Sequence, residues 1–199
     1  MLDAINERFD LNIKRVENLV IAYGKLRGKG KGRRTLSQTD VLRSSVVMLH
    51  ATLEEFLRGL SRWKLPTATD DRLNKLPLVG EKTDILKFSW GQLTKHRAKT
   101  ISKLLEESIE HHLDHSTYNK TDDVVPVLEL LGVDKAKVAQ YFADMALAMK
   151  RRHAIVHQAD RQTKPGKGYG KARPIDEVMV NSWISAIKRF KKKVVKELT

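Results

Sequence analysis

Apolar residues recur at intervals of three and four along most of this chain, and no segment shows a convincing strand pattern. This spacing places side chains on one face of an α-helix, which turns once every 3.6 residues. The stripe Ile5, Phe9, Ile13 and Val16 is one example. The sequence therefore predicts an all-α fold, an antiparallel bundle of helices that pack through their apolar faces.

Capping residues, glycines and prolines bound the predicted helices. These cover residues 3–23, about 37–63, a short helix or turn at 83–91, about 93–115, 122–131, a helix that begins near Asp134, and 175–197. We expect the first, the second and the helix from Asp134 to pack side by side. Gly24 is predicted to end the first helix, and a box formed by Ser37 and Asp40 to begin the second. Ile101 and Val178 are predicted to face inward.

Two glycine-rich basic segments separate these helices. Residues 24–35 hold four glycines and six cations, and residues 161–174 have a similar composition. Both are predicted to be flexible basic loops, because glycine and lysine give them nothing to pack into a core. The candidate phosphate-binding residues of the first loop are Lys29, Lys31, Arg33 and Arg34. A solvated linker is an equally good interpretation of this loop.

Size and charge narrow the class of protein. A length of 199 residues predicts a single domain, 1–199, and a formal net charge of +14 favours a polyanionic partner, most simply nucleic acid. An anionic membrane surface is the weaker alternative. The absence of cysteine excludes disulfides, a thiolate nucleophile and cysteine-ligated zinc. No apolar run approaches the roughly 20 residues that span a bilayer, and the first residues do not resemble a signal peptide, so we expect a cytoplasmic protein.

The predicted C-terminal helix, residues 175–199, is basic. Six cations lie between Lys188 and Lys196. Cations in a last turn suit the helix dipole, but six exceed what capping needs. A contact with a polyanion is therefore predicted for this helix.

The stretch from Lys150 to Asp160 carries the strongest functional pattern. Arg152 stands where the apolar stripe through Met149 is due to continue, so its guanidinium is either buried with a partner or lines a cleft. His157 follows five residues later, about 140° around an ideal helix, and the two residues therefore flank one groove. His153 and His157, four residues apart, share a helix face.

The order Arg152, His153, three residues and His157 resembles the R-x4–6-H signature of the HEPN superfamily, in particular bacterial nucleases of the RiboL-PSP and MAE types. This resemblance implies an all-helical bundle, a homodimer whose two motifs line one cleft, and metal-independent RNase activity. It implies that Arg152 and His157 form the catalytic pair and that His153 orients them or contacts phosphate. Members often act in toxin–antitoxin or antiphage systems, so an antitoxin is a possible partner.

Other residues are expected to support this pair. Asp160 could hydrogen-bond the His157 ring and fix its tautomer. The resemblance allows a polar residue of the second helix, such as Glu54, to approach the cleft, although a surface pair of His50 and Glu54 is the favoured alternative. The candidate RNA-binding residues beside the motif are Lys150, Arg151 and Arg161. The spacing of His111 and His115 suits two metal ligands, but without a third ligand no metal site and no cofactor are predicted.

The chemistry that fits these residues is RNA cleavage by the substrate's own 2′-hydroxyl. Histidine can serve as base or acid near neutral pH, and arginine presents a fixed fork of donors to a phosphoryl group. We expect a metal-independent endoribonuclease acting on single-stranded RNA, as a toxin or antiphage effector. A non-catalytic RNA- or protein-binding dimerisation module is the alternative.

Overall fold

A computed structural model of the chain describes residues 1–28, 32, 34–82, 86–162 and 170–199. The α-helices within these residues are α1 (Leu2–Arg27), α2 (Leu36–Lys64), α3 (Asp70–Leu73), α4 (Trp90–Leu93), α5 (Ile101–His115), α6 (Thr121–Leu131), α7 (Phe142–Gln158) and α8 (Glu177–Leu198). The described residues contain no strand, only an isolated antiparallel bridge between Arg161 and Ala172. The all-α prediction is confirmed.

Helix α1 runs antiparallel to both α2 and α8. Near its beginning, Arg8 pairs with Glu55 in the second half of α2, with 3.3 Å between Nη1 and Oε1. At its end, Arg27 pairs with Glu177 in the first turn of α8, at 3.1 Å. The end of α1 therefore lies beside the beginning of each neighbour, so that α2 and α8 both run in the direction opposite to α1.

Helix α7 completes the bundle between α2 and α8. Asp160, just past the end of α7, pairs with Arg43 in the first half of α2. At the other end, the Phe142 ring that begins α7 lies 6.4 Å from the Phe190 ring near the end of α8. The result is a four-helix arrangement in which α2 lies between α1 and α7, as expected for the first, second and motif helices, with α8 opposite.

One main core joins these helices to α6. Its largest fully buried side chains include Tyr23, Leu42, Leu49, Leu53, Leu57, Tyr118, Leu128 and Phe190. A smaller cluster of Leu65, Leu76, Ile109, Leu113 and Leu130 fixes α5 against α6 and the end of α2. Each buried leucine stabilises the fold by about 1.5–3 kcal/mol relative to an exposed one, so α5 and the connection that follows it are held firmly beside α2.

The predicted boundary at Gly24 is wrong. Helix α1 continues to Arg27 and ends before Gly28, which adopts a φ of 63° that favours glycine. A glycine inside a helix costs only about 1 kcal/mol relative to alanine, and burial of the neighbouring Tyr23 offsets that cost. The basic loop is therefore shorter than the predicted 24–35, and within it residues 29–31 and 33 lie outside the described part of the chain.

Helix α2 begins with a different capping box from the predicted pair of Ser37 and Asp40. The Thr35 hydroxyl accepts a hydrogen bond from the Gln38 amide at 3.3 Å, and the Gln38 side chain accepts one from the Thr35 amide at 2.9 Å. Gln38 also donates to the Leu26 carbonyl at 2.8 Å. This cap ties the beginning of α2 to the end of α1.

The predicted helix from Asp134 is interrupted. Short 3-10 turns at Lys135–Lys137 and Ala139–Tyr141 precede α7, which begins only at Phe142. The fully buried Val138 adopts a non-helical conformation between the two turns, with φ −123° and ψ −5°. Core packing of Val138 therefore overrides the helical pattern there.

The predicted helix 93–115 is also interrupted. Helix α4 and a 3-10 turn at Thr94–His96 precede α5, which begins at Ile101 after a Thr100 cap. Ile101 was predicted to face inward but is 87% exposed, and Val178 in α8 is exposed as well. In the predicted helix or turn at 83–91, residues 83–85 lie outside the described part of the chain.

Candidate active site

The candidate functional residues of α7 lie on two sides of the helix, and the prediction that Arg152 and His157 flank one groove stays a prediction. Arg152 is half-buried and faces α2 and the connection between α5 and α6. His153 and His157 are exposed, and their ring centroids lie 4.6 Å apart. Within the described residues no hydrogen bond or ion pair joins Arg152 to His157, so a single protomer does not bring the predicted catalytic pair into contact.

Arg152 is held by a residue that the sequence did not single out. Its Nη1 donates to Oδ1 of Asn119 at 3.0 Å. Its Nε is buried and has no hydrogen-bond partner among the described residues. No described carboxylate lies within ion-pair distance of the guanidinium, so its charge is not neutralised by the part of the chain that the structure describes.

His50 in α2 lies close to this guanidinium. The side chain is 5% exposed, and neither ring nitrogen has a hydrogen-bond partner among the described residues. Burial and the nearby charge of Arg152 lower the pKa of His50 to about 4, against a smaller opposing effect of Glu54. His50 is therefore neutral near pH 7 and leaves the charge of Arg152 undiminished.

Glu54 follows one turn later in α2 and is half-buried, so the favoured interpretation of an exposed surface pair is wrong. One carboxylate oxygen accepts from Arg58 at 2.9 and 3.1 Å, and the other lies 3.9 Å from Nε2 of His50. Arg58 also donates to the Leu113 and Ser116 carbonyls. These bonds fasten Glu54 and α2 to the connection that carries Asn119.

Tyr118 closes the buried side of this cluster. The Arg58 guanidinium carbon lies 5.0 Å from the centre of the Tyr118 ring, a distance typical of a cation–π contact. The Tyr118 hydroxyl is buried without a described partner, and burial raises its pKa. Unpaired buried polar atoms are uncommon in folded proteins. Three side chains that carry them, His50, Tyr118 and Arg152, lie in this one region.

Asp160 was predicted to orient the His157 ring, but its described partners are two arginines. The side chain is fully buried, and Oδ2 accepts from Nε of Arg43 at 2.7 Å and from Nη2 of Arg151 at 2.8 Å. The other carboxylate oxygen has no described partner. Asp160 therefore joins α2 to the end of α7.

The predicted phosphate contact of Arg151 needs the same correction. Its Nη2 also donates to the carbonyls of Arg173 and Pro174, at 3.0 and 2.8 Å. A largely buried guanidinium with these internal acceptors is a structural anchor rather than a free cation. It fixes the return of the chain after residue 170 against α7.

Helix α7 ends in two consecutive left-handed residues, Ala159 with φ 46° and Asp160 with φ 55°. This conformation costs an L-amino acid roughly 1–2 kcal/mol. Hydrogen bonds hold it in place, because the Asp160 amide donates to the Ala154 carbonyl at 2.9 Å and the Arg173 amide donates to the Asp160 carbonyl at 2.8 Å. The chain direction directly after His157 is thus fixed by tertiary contacts.

A model of the RiboL-PSP-HEPN family matches residues 11–199. The chain belongs to the RiboL-PSP-HEPN family. The match includes α2, the connection with Asn119 and the end of α7, and it confirms the resemblance that the motif suggested. Family membership indicates an RNase-like or nucleotide-binding module. No curated protein and no solved structure matches the chain significantly.

A solvent-open groove of about 500 Å³ lies beside the exposed histidines of this HEPN domain. It runs between α7 and the beginning of α6. Its lining includes Thr117, Asn119, Lys120, Lys150 and His153. Lys150 is exposed, as a phosphate contact must be, and Lys120 is a second exposed cation that was not predicted to lie here. Asn119 therefore contacts both this groove and Arg152.

The other predicted RNA-binding residues that the structure describes, Arg34 and Arg161, are not in the lining of this groove. Arg161 donates to the Gly170 carbonyl at 3.2 Å, and the Gln162 amide donates to the Lys171 carbonyl, on the opposite side of the same loop, at 3.1 Å. The described ends of segment 161–174 are therefore hydrogen-bonded to each other, whereas residues 163–169 lie outside the described chain. The flexibility of this loop stays a prediction. Arg34 lies over the Tyr23 ring at 5.8 Å. Lys29, Lys31 and Arg33 lie outside the described residues.

The cations at the end of α8 are partly used within the fold. Their acidic partners are Glu17 for Lys188, Asp10 for Lys191 and Glu197 for Lys193. Half of the six cations between Lys188 and Lys196 are therefore ion-paired, which reduces the charge that the helix can offer to a polyanion.

The remaining histidine pair of the HEPN domain is engaged within the fold. His111 Nε2 lies 2.9 Å from the Glu81 carbonyl oxygen, and His115 Nδ1 lies 2.8 Å from the His111 carbonyl oxygen. Among the described residues no group of three or more potential ligands could hold a metal ion. No described helix is long and apolar enough to cross a membrane.

Proposed function

We propose that residues 1–199 form a single HEPN domain that acts as a metal-independent endoribonuclease on single-stranded RNA. The observation that carries this proposal is the state of Arg152. Its guanidinium is half-buried, its described hydrogen-bond partner is the neutral Asn119, and its neighbour His50 is neutral as well. A partly buried cation without a counter-ion is costly, and a phosphoryl group of RNA supplies the missing anion.

The geometry supports phosphate recognition by Arg152. Asn119 accepts one hydrogen of Nη1 and Nε is buried, which leaves Nη2 and the second hydrogen of Nη1 as the donors for two oxygens of one phosphate. Hydrogen bonds that are already oriented towards developing charge stabilise the transition state without reorganisation. Arg152 therefore binds the scissile phosphate and stabilises the charge that builds on it.

His153 and His157 supply the proton transfers. One imidazole accepts the proton of the ribose 2′-hydroxyl as its oxygen attacks phosphorus, and the other donates a proton to the 5′-oxygen as the P–O5′ bond breaks. The products are a 2′,3′-cyclic phosphate and a 5′-hydroxyl. We assign the essential role to His157, while His153, which lines the groove together with Lys150, contacts phosphate or assists His157.

A homodimer with a composite cleft accounts for the separation of Arg152 and His157 within one protomer. An open groove of about 720 Å³ between α2 and the end of α7 offers an apolar surface for this contact. It is lined in part by Leu36, Val47, Met48 and Ile155. A two-fold axis near the end of α7 would bring both motifs to one site.

The decisive experiment compares wild type with His157→Ala on labelled single-stranded RNA in the presence of EDTA. We expect wild type to cleave RNA, to leave DNA intact because DNA lacks the 2′-hydroxyl, and His157→Ala to be inactive while it still binds RNA. His115→Ala is the matched control, because it removes an exposed histidine of α5 that does not belong to the Arg152–His157 motif. Arg152→Lys should not restore activity, since a point charge does not reproduce the fork.

Equal cleavage by wild type and His157→Ala would refute the assignment. Loss of cleavage in every preparation with retained RNA binding would instead favour the non-catalytic binding module. A mixture of the inactive Arg152→Ala and His157→Ala proteins tests the composite cleft. Exchange of protomers should restore part of the activity if arginine and histidine act from different chains, and none if they act within one chain.

The biological role that fits this activity is a toxin or antiphage effector in the cytoplasm, controlled by a partner protein that blocks the basic groove. Induced expression of wild type should arrest growth, and His157→Ala should not. Equal toxicity of the two proteins would contradict this role.

A further inference from the structure

The segment Leu86–Lys103, here called the arm, differs in character from the rest of the surface. Trp90 is 85% exposed, and Leu86, Phe88 and Ile101 are exposed beside it. Five cations lie in the arm: Lys87, Lys95, Arg97, Lys99 and Lys103. No acidic residue occurs between Leu86 and Leu105. Glutamates outside the arm pair with three of these cations, Lys95, Lys99 and Lys103. Exposed aromatic rings among cations are nevertheless rare on a surface that meets only water.

The arm has a defined shape. Ser89 caps α4, and its amide donates to the Gln92 side chain at 2.7 Å, so that Trp90 stands at the first position of the helix. Lys95 pairs with Glu81 at 3.2 Å, and Lys99 pairs with Glu107 at 2.5 Å. A surface that is ordered before it binds loses less conformational entropy on binding.

The aromatic residues of the arm have no role in the fold. Neither Phe88 nor Trp90 belongs to either hydrophobic core, and neither ring makes an aromatic or cation–π contact with a described residue. Lys87 and Arg97 form no ion pair within the described residues. Two rings and two free cations therefore face solvent together.

We infer that the arm is a stacking surface for the bases of single-stranded RNA, an inference that rests on the proposed function. Aromatic rings bind unpaired bases through their faces, and interleaved cations bind the phosphates between them. The arm itself contains no acidic residue, and Lys87 and Arg97 have no ion-pair partner among the described residues, which favours a polyanion as the occupant. Trp90 and Phe88 stack on bases, and Lys87 and Arg97 contact the backbone.

The position of the arm sets the length of RNA that it can influence. Helix α5 leads from the arm at Ile101 to the carbonyls of Leu113 and Ser116, which bind Arg58 beside the candidate active site. Its 15 residues span about 20 Å at 1.5 Å per residue. On this inference a dinucleotide bound at Arg152 leaves Trp90 unoccupied, whereas a single strand of several nucleotides contacts both.

The test measures binding separately from cleavage. Fluorescence anisotropy with a labelled single strand of about 12 nucleotides, a length within the range of known single-strand sites, compares His157→Ala with the same protein carrying Trp90→Ala. We expect Trp90→Ala to weaken binding about tenfold, equivalent to about 1.4 kcal/mol, and Trp90→Phe to retain most of the affinity. Leu11→Ala, an exposed apolar residue of α1, is the matched control and should change nothing.

Two further measurements identify the partner and the mechanism. In the first, base stacking should quench the fluorescence of Trp90. In the second, Trp90→Ala in an otherwise wild-type protein should leave cleavage of a dinucleotide unchanged but raise KM for the long strand. Equal affinity of the Trp90→Ala and parent proteins for the long strand would overturn the inference. So would an altered oligomeric mass with unchanged RNA affinity, which would assign the arm to a protein interface. Failure of cleavage with a retained Trp90 effect would refute the nuclease and leave the arm as an RNA-binding surface.

Discussion

The buried carboxylate of Asp160 provides the sharpest test of how this fold holds its motif. Asp160 has 0% exposure, and its partners Arg43 and Arg151 retain only 8% and 12% of their side-chain exposure. Asp160→Asn keeps the shape of the side chain but removes its charge. Two largely buried guanidinium groups then lose their shared anion, and Arg43 keeps only its pair with the exposed Asp40 at 3.1 Å. The amide oxygen can still accept from both arginines, but the NH2 group replaces the buried Oδ1, which has no described acceptor beside it.

The expected loss of stability follows from the burial of the network. Removing one partner of a buried ion pair costs about 3–5 kcal/mol, because the remaining charge stays buried without compensation. For a chain of this size, 1 kcal/mol shifts Tm by roughly 2–4 °C, which gives a decrease of about 6–20 °C. The Arg27–Glu177 pair is the control, since both side chains are 37% exposed. Glu177→Gln should cost less than about 1 kcal/mol.

Urea unfolding followed by circular dichroism measures both free energies of unfolding under the same conditions. The reasoning is refuted if Asp160→Asn loses no more stability than Glu177→Gln. A cleavage defect with unchanged stability would instead revive the simpler prediction that Asp160 orients His157. The two roles of Asp160 are therefore separated by one pair of variants.

Two further predictions concern charge. Burial and Arg152 lower the pKa of His50 to about 4, so the unfolded chain takes up the His50 proton at a higher pH than the folded chain does. The contribution of His50 to the free energy of unfolding is therefore fully present above about pH 6.5 and is lost as the pH falls towards 4. Wild type should lose about 2 kcal/mol through His50 between about pH 7 and pH 5, and His50→Leu should lose correspondingly less; parallel curves would contradict this. The logarithm of RNA affinity should fall with the logarithm of salt concentration, with a slope of about 0.7 per phosphate contact. Substitution of Lys150 should reduce this slope, whereas substitution of the ion-paired Lys193 should not. Affinity that is flat across the salt range would exclude phosphate contacts.

The long helices of this fold were predictable because their apolar residues repeat over many turns. Helix boundaries were less predictable, since they depend on contacts between distant residues. Gly24 was predicted to end α1, but Tyr23 is buried in the core and the helix continues past it. The helix ends before Gly28, whose positive φ favours glycine. Val138 interrupts a helical pattern for the same reason, because its side chain fills the core.

The motif was predictable and most of its surroundings were not. Arg152 and His157 stand out because a cation interrupts an apolar stripe at a short distance from a histidine. Asn119 lies 33 residues away in a connection without periodicity, and no local pattern marks it as the partner of Arg152. His50 carried a partial signal, because it stands in the strongly apolar face of α2 between Leu49 and Leu53. A histidine there predicts burial, and burial beside an arginine predicts a neutral ring.

The fold fixes the two halves of the motif to different degrees, and this difference bears on how the site operates. Arg152 is restrained by Asn119, and the backbone after α7 is restrained by Asp160. His157 is exposed and forms no hydrogen bond with a described residue. An exposed side chain samples several rotamers, whereas acid–base catalysis needs the ring within hydrogen-bond distance of the reacting oxygen. In the proposed mechanism, the phosphate-binding half is thus prepared in one protomer, and the histidine needs a contact from the RNA or from a second protomer before it can act.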